Sequence, residues 1–266
     1  VPAKKREPAV CLILFAYNYH PDYKLILTAN RDEFYSRPTR AMQYWPEQPE
    51  LLAGQDLEQG GTWLGLTRSG RFSALTNHRN GLSQPQGQSS RGNLPLQFLL
   101  SDLSSRAFIE TSEPHRFDGF NQLIDDGQQL CYLSNRAAPL QPVPHGIHGI
   151  SNAVFDTSWP KLVAAKQALK NCIDSGTFDA DALIKLMQNP ATYPDELLPK
   201  TGIALPLERR LSASFIRSEN YGTRATTAIL IKHNGVTEVV EQSYDALGET
   251  ERNAFSFDTR TAFMTE

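Results

Sequence analysis

Cysteine is scarce in this chain: Cys11, Cys131 and Cys172 are the three among 266 residues. An odd, widely spaced set with no C-x-x-C pair argues against a disulfide framework and a thiolate zinc site, and it fits a reducing cytosol. Long apolar runs are missing too. The run from Cys11 to Tyr17 gives way at once to Asn18, Tyr19, His20 and Pro21, too soon for an export signal or an anchor, so a cytoplasmic protein without a membrane span is expected. No long basic block interleaved with aromatics occurs. With 26 basic and 29 acidic residues the net charge is −3, which speaks against a nucleic-acid surface. There is no G-x-G-x-x-G after a strand-like run, no G-x-x-x-x-G-K-[ST], no H-E-x-x-H and no internal repeat. Nucleotide and zinc readings therefore lose support, and no metal is expected.

What is present describes an ordered domain. At 40% hydrophobic and 21% charged the chain is too apolar for disorder, and its length allows one large domain or two smaller ones. We read residues 11–266 as one domain and residues 1–10 as an N-terminal extension or prosegment. Val10 to Tyr17 and Lys24 to Ala29 flank a polar connector with Pro21, which predicts a hairpin; without strict alternation, both its faces are covered. Arg37 to Pro49 is Pro-rich and reads as ordered loop. Further hairpins are predicted for Thr62–Thr67 with Arg71–Asn77, for Phe120–Gly127 with Gln129–Asn135, and across Asn234-Gly235. Gly146–Asn152 is expected beside the second of these. The stretch Gly81 to Ser90 suits a lid.

Helices are predicted where the period changes. Leu96, Leu99, Leu100 and Leu103 mark one, Ser158 and Pro160 start a second that runs to Gly176, and Asp179–Gln188 forms a third before Pro190. Ser212–Arg217 and Arg224–Ile231 read as strands. Strands first, helices in the middle and strands last describe an α+β chain, and a four-layer αββα sandwich of two mostly antiparallel sheets would cover the continuous apolar strands.

Two features carry chemistry. Cys11 opens the first apolar run, ten residues from the chain start, so a short trim would make it N-terminal, where its own α-amine serves as the base that activates the thiol. Arg31 and Asp32 close the second run. Cys131 and Cys172 sit in apolar periodic segments and read as packing. His145 and His148 are three apart on a Gly- and Pro-rich stretch, weak metal spacing that lacks a third ligand. A single exposed His is still a possible axial haem ligand.

Several segments together resemble a known family: Cys11-Leu12-Ile13, Ala29-Asn30-Arg31-Asp32-Glu33-Phe34, Gly60-Gly61-Thr62-Trp63-Leu64-Gly65, Thr76-Asn77-His78-Arg79 and Tyr221-Gly222-Thr223-Arg224. Their order is similar to that of the NRDE family, also called transport and Golgi organisation protein two. More broadly it resembles the N-terminal nucleophile (Ntn) hydrolases, in the cysteine branch with bile salt hydrolase, penicillin V acylase and acid ceramidase. The resemblance spans Cys11 to about Ile231. It implies an Ntn-hydrolase-like fold with Cys11 as nucleophile and Arg31 and Asp32 beside it. Asn77 and Asn152 match the oxyanion donors, and Arg224, or less well Arg217, matches a late Arg that holds the site's carboxylates or a substrate anion.

On that footing Asp32 would orient the α-amine, Arg31 would favour the thiolate, and the two asparagine amides would stabilise a tetrahedral oxyanion. Asn30, Glu33, Phe34, Trp63 and His78 are expected to bind substrate, with Glu33 either catalytic or completing a helix-start or ion-pair pattern. Trp45, Trp63, Phe34 and Tyr35 would wall a groove for an acyl chain or a porphyrin. The expected activity is hydrolysis of a non-peptide C–N amide through an acyl-enzyme on Cys11, with no cofactor required. The family's links to haem trafficking and to lipid or acyl-CoA handling imply an alternative, a non-catalytic carrier of haem or acyl lipid in which haem is a transient ligand. Family members usually begin Met-Cys. Here either the start carries ten additional residues or the chain is cut at Val10–Cys11.

Overall fold

A computed structural model describes residues 11–81, 87–138 and 141–259. The N-terminal extension, and the centre of the stretch suited to a lid (82–86), lie outside the described residues. β1 (Cys11–Tyr17) and β2 (Tyr23–Phe34) form the expected hairpin, with Cys11 opposite Arg31 and Tyr17 opposite Leu25. β2 continues through the Asn-Arg-Asp-Glu segment, because β11 (Tyr221–Lys232) pairs along its other edge. Both neighbours are thus present to satisfy its backbone.

Arg37 to Pro49, expected as loop, instead holds β3 (Thr39–Trp45) and the start of β4 (Gln48–Asp56). The prolines avoid the cost of a lost ladder bond by position. Pro38 precedes β3, Pro46 sits in the turn, and Pro49 lies near the open start of β4. β5 (Leu64–Thr67), β6 (Phe72–Asn77), β7 (Phe120–Asp125) and β8 (Leu130–Ser134) continue as consecutive antiparallel neighbours, followed by the short β9 (Gln141–Pro142). β10 (Gly146–Ile150) does not join β8 as expected; it pairs with β1. β12 (Val236–Tyr244) follows the Asn-Gly turn, and β13 (Glu249–Asp258), missing from the sequence reading, closes the edge.

The described residues therefore build a six-stranded sheet, β10-β1-β2-β11-β12-β13, and a seven-stranded sheet running from β3 to β9 in order. Alternation along each strand decides the layers. Ile13, Phe15, Leu25 and Leu27 meet Leu52, Leu64, Phe72 and Leu123 between the sheets. On the other face of the first sheet, Leu12, Leu14, Ile26 and Ala228 meet α3 (Pro160–Asp174) and α4 (Ala180–Met187). α1 (Asn93–Leu99) and α2 (Ser105–Thr111) cover the second sheet through Leu99, Phe98 and Phe108. Each fully buried Leu or Phe contributes about 1.5–3 kcal/mol, so strands apolar on both faces settle as the inner layers of an αββα sandwich.

Helix ends follow local chemistry. Asp179 caps α4 by accepting from Ala182 N–H at 2.8 Å, and Pro160 begins α3 where its missing N–H costs nothing. α1 stops at Leu99, short of the predicted periodic run, and Leu100 and Leu103 are exposed. Ser212–Arg217 is not a strand. Apart from one bridge, Arg217 to Gly222, it is irregular chain after α5 (Leu205–Arg210). Among the described residues no helix is long and apolar enough to cross a membrane.

Candidate functional site

Strand alternation puts Arg31 and Asp32 on opposite faces of the first sheet. Arg31 shares the inter-sheet face with Ala29. Its guanidinium lies 4.2 Å from the ring centre of Trp63 on the opposite sheet, and Nη1 donates to Thr39 Oγ1 at 3.1 Å. Asp32 shares the helix-side face with Thr28 and Asn30, where Thr223 donates to its Oδ1 at 2.6 Å. Cys11, only 9% exposed, faces Arg31 across the β1–β2 ladder. Burial and the Asp32 carboxylate push its thiol from the ordinary 9.0 up to about 12, against a hydrogen bond from the Asp32 backbone and the charge of Arg31. With Val10 still attached, this sulfur stays protonated at neutral pH.

Asn77 and Asn152 come to the same end of the sandwich. Ser151 Oγ donates to the Cys11 carbonyl at 3.4 Å, Asn152 Nδ2 donates to the Asn77 carbonyl at 2.8 Å, and Arg79 N–H donates to the Asn152 carbonyl at 2.7 Å. Hydrogen bonds thus join the starts and ends of β1, β6 and β10 around the thiol. His78 follows Asn77. Its backbone N–H bonds Gly119, its Nδ1 is buried without a partner, and burial together with Arg136 holds its pKa below the ordinary value.

Other expected residues serve elsewhere. Arg224 was expected at an anion, but its Nη1 donates to the carbonyls of Phe34, Tyr35 and Arg37 and fixes the turn after β2. It occupies the bulge between Thr223 and Ala225, which sets its side chain apart from the regular alternation. Arg217 is exposed. Asn30 borders a void beside Cys11, yet its amide is engaged by Met187, Ser214 and Thr226. Glu33 accepts from Phe34 N–H and lies 3.7 Å from Arg37, the ion-pair alternative.

The void beside Cys11 measures about 10 Å³ and is lined by Cys11, Arg31, Trp63, Leu64, Leu75 and Thr227 among others. It has room for a water-sized group. Phe34 packs edge-on against Tyr221, and Trp45 packs with Leu51, Ala53 and Leu99. Of the four expected groove walls, Trp63 alone lines this void. His148 has Nδ1 at 2.8 Å from Asp156 and Nε2 at 3.0 Å from the Pro144 carbonyl, so neither ring nitrogen is open for haem. His145 Nε2 lies 3.2 Å from Asn18. All three cysteines are free, and among the described residues no group of three or more His, Cys, Asp or Glu is placed to hold a metal.

Sequence reading missed four charged residues around the thiol. Lys161, 3% exposed on the first turn of α3, donates to the Leu211 carbonyl at 2.9 Å and faces the field of Asp32. Burial drives Asp32 upward and Lys161 downward, each toward its neutral form. Arg79 pairs with Glu208 at 2.8 Å in the same layer and lies 4.8 Å from the Trp159 ring centre. Glu208 also accepts from the Thr201 N–H and hydroxyl. Arg91 donates to the Gly119 carbonyl at 3.1 Å, and burial holds its pKa below the ordinary value. Arg79 lies in the Thr76-Asn77-His78-Arg79 segment, whereas Lys161, Glu208 and Arg91 carry no local signal in the sequence.

The sequence matches the family described as Transport and Golgi organisation 2 over residues 10–246. The chain belongs to this family. It is 34% identical to the mouse Transport and Golgi organization 2 homolog over 258 residues, covering 88% of this chain and 93% of that protein. It is 36% identical to the Bos taurus homolog over 261 residues, with the same coverages. The Drosophila melanogaster Transport and Golgi organization protein 2 is 25% identical over 269 residues, 90% of this chain and 93% of that protein. Among solved structures, this chain is similar to the Caenorhabditis elegans N-acylethanolamine-hydrolyzing acid amidase ortholog. That likeness has a TM-score of 0.45 and 13% identity over 83% of this chain and 92% of that one.

Proposed function

We propose that the protein is a cysteine amidohydrolase of the Ntn type, acting on a non-peptide C–N amide once Cys11 is the first residue. The observation that carries this reading is the placement of Cys11 at the mouth of β1, in register with Arg31 and tied through Ser151 to the Asn152–Asn77 pair. The freed α-amine takes the thiol proton, and Sγ bonds to the substrate carbonyl carbon. Asn77 and Asn152 donate to the oxyanion. The C–N bond then breaks, and the amine leaves with the proton from the α-ammonium. Water adds to the thioester, the C–S bond breaks, and a carboxylic acid departs.

Opening the Val10–Cys11 bond replaces a neutral amide with a titratable amine beside the sulfur. A positive charge there lowers the thiol pKa from its raised value, so one cleavage activates an otherwise inert group.

Intact mass and N-terminal sequencing of protein made from its natural start, followed by an amide or thioester acylating probe, test the proposal. A chain beginning at Cys11 that is acylated on that residue, with turnover lost in Cys11→Ser, is expected. Turnover retained in Cys11→Ser overturns it. A start at Val1 combined with a Soret band on adding haem, lost when a His is replaced, installs the carrier instead.

A further inference from the structure

Arg31 lines the void beside Cys11 on the inter-sheet side, Arg91 is anchored at the neighbouring Asn77–His78 end, and neither has a carboxylate oxygen within 4 Å among the described residues. Arg31 is 6% exposed, stacked on Trp63 and bonded only to the Thr39 hydroxyl. Arg91 is held by the Gly119 carbonyl, which also accepts the His78 N–H, so it is anchored at the Asn77–His78 end. Residues 91–93 are pressed onto the chain that carries Trp63: Thr62 N–H bonds the Gly92 carbonyl at 3.0 Å, and a Cβ on Gly61 would lie 2.5 Å from Gly92 backbone atoms.

The carboxylates whose fields reach Arg31 and Arg91 are engaged elsewhere. Asp56 bonds Arg37 at 2.7 Å and accepts from Glu58 N–H. Glu33 faces Arg37 and the Phe34 N–H. Glu241 accepts from Met42 N–H at 2.7 Å and Thr227 at 3.1 Å. Asp118 accepts from Gly87 N–H. A buried cation without a paired anion is costly, and it lowers that cost by binding an anionic ligand. Arginine suits this role, since its planar fork matches carboxylate and phosphate oxygens.

We infer that Arg31 and Arg91 form an oxyanion-bearing ligand's subsite beside Cys11, and that the substrate carries a carboxylate or phosphate group. As a statement about substrate this rests on the hydrolase reading; as a statement about an anion site it rests on the two arginines alone.

Thermal unfolding of the full chain at constant ionic strength tests it, with phosphate, glutarate and neutral glutaramide as probes and chloride making up the balance. A ligand that binds only the folded state raises the melting temperature with concentration. Phosphate or glutarate should raise it and glutaramide should not. Whichever of the two acts assigns the group as phosphate or carboxylate. Arg91→Gln should abolish the rise, Arg91→Lys should keep part of it, and Arg106→Gln, at an exposed pair with Glu110, should keep all of it. Equal rises in wild type and Arg91→Gln, or no rise with either anion, overturn the inference. Should Arg91→Gln fail to fold, the comparison of Arg91→Lys with wild type decides, since phosphate also raises melting temperatures without a site. Anion binding without any amide turnover would leave the subsite standing and remove the hydrolase. Equal kcat/KM for neutral and anionic amides, with no anion-dependent rise, would do the reverse.

Discussion

Thr223 on β11 hands its hydroxyl proton to Asp32 on β2 across 2.6 Å, in a layer closed to solvent, while its oxygen accepts from the Ile216 N–H at 2.9 Å. That single donor partly offsets the burial of a carboxylate one residue along from Arg31. Lys161 contributes charge from the far side without forming a close ion pair. The result is an ionisable layer on the far side of the strand from Arg31.

A pH-dependent stability follows from the raised Asp32. A carboxyl with a higher pKa in the folded chain contributes stability that is complete below its ordinary 3.8 and is lost as pH rises through the folded value. Lys161, lowered, has the opposite sign and is present in both chains compared. Asp32→Asn keeps an acceptor for Thr223 and removes the titration. Urea denaturation from about pH 4 to neutral should show the variant gaining on wild type steadily. A pH-independent difference would remove the burial account of Asp32.

The Arg79–Glu208 pair is buried on both sides and links the segment after β6 to α5. Removing one partner leaves an uncompensated charge, so Arg79→Met should cost about 3–5 kcal/mol. Arg79→Met combined with Glu208→Leu should recover part of that loss. The unfolding midpoints of the single and double variants provide the measurement.

Cys11 should be a poor nucleophile while Val10 is attached. With the thiol pushed up to about 12, iodoacetamide labelling should rise about tenfold per pH unit from about pH 8 to about pH 11, in step with the thiolate fraction. A chain starting at Cys11 should label at neutral pH. Mass spectrometry of the Cys11 peptide reads both rates, and equal neutral rates would deny any activation by cleavage.

Gly54 leaves room for Trp63: a Cβ there would lie 2.3 Å from Trp63 Cη2 and Cζ2. Gly54→Ala must therefore displace the indole on which Arg31 rests. Overpacking of this kind costs about 1–3 kcal/mol. The variant should melt earlier and show altered tryptophan emission. Unchanged emission with unchanged melting would mean that the ring is not fixed there.

The layered fold was legible because hairpin turns and continuous apolar strands are local signals, as at Asn234-Gly235 and Asp126-Gly127. β10 was misplaced since the choice between β8 and β1 as partner is a long-range one that no turn residue encodes. β3 was missed because its prolines read as breakers, though they lie at the strand's ends. Cys11, Arg31 and the two asparagines could be named from the family pattern. Lys161 and Glu208 could not, because their burial depends on packing between layers and surface-type residues give no hint of it. Arg224 misled for a related reason: a one-residue bulge set the direction of its side chain.

Because consecutive residues of one strand look into separate compartments, the molecule has a front and a back at its thiol. On the proposed reading, changes at Trp63 and Thr39 alter what docks beside Arg31, and changes at Lys161 and Thr223 alter how Asp32 is held. Each can drift, or be engineered, without the other having to follow.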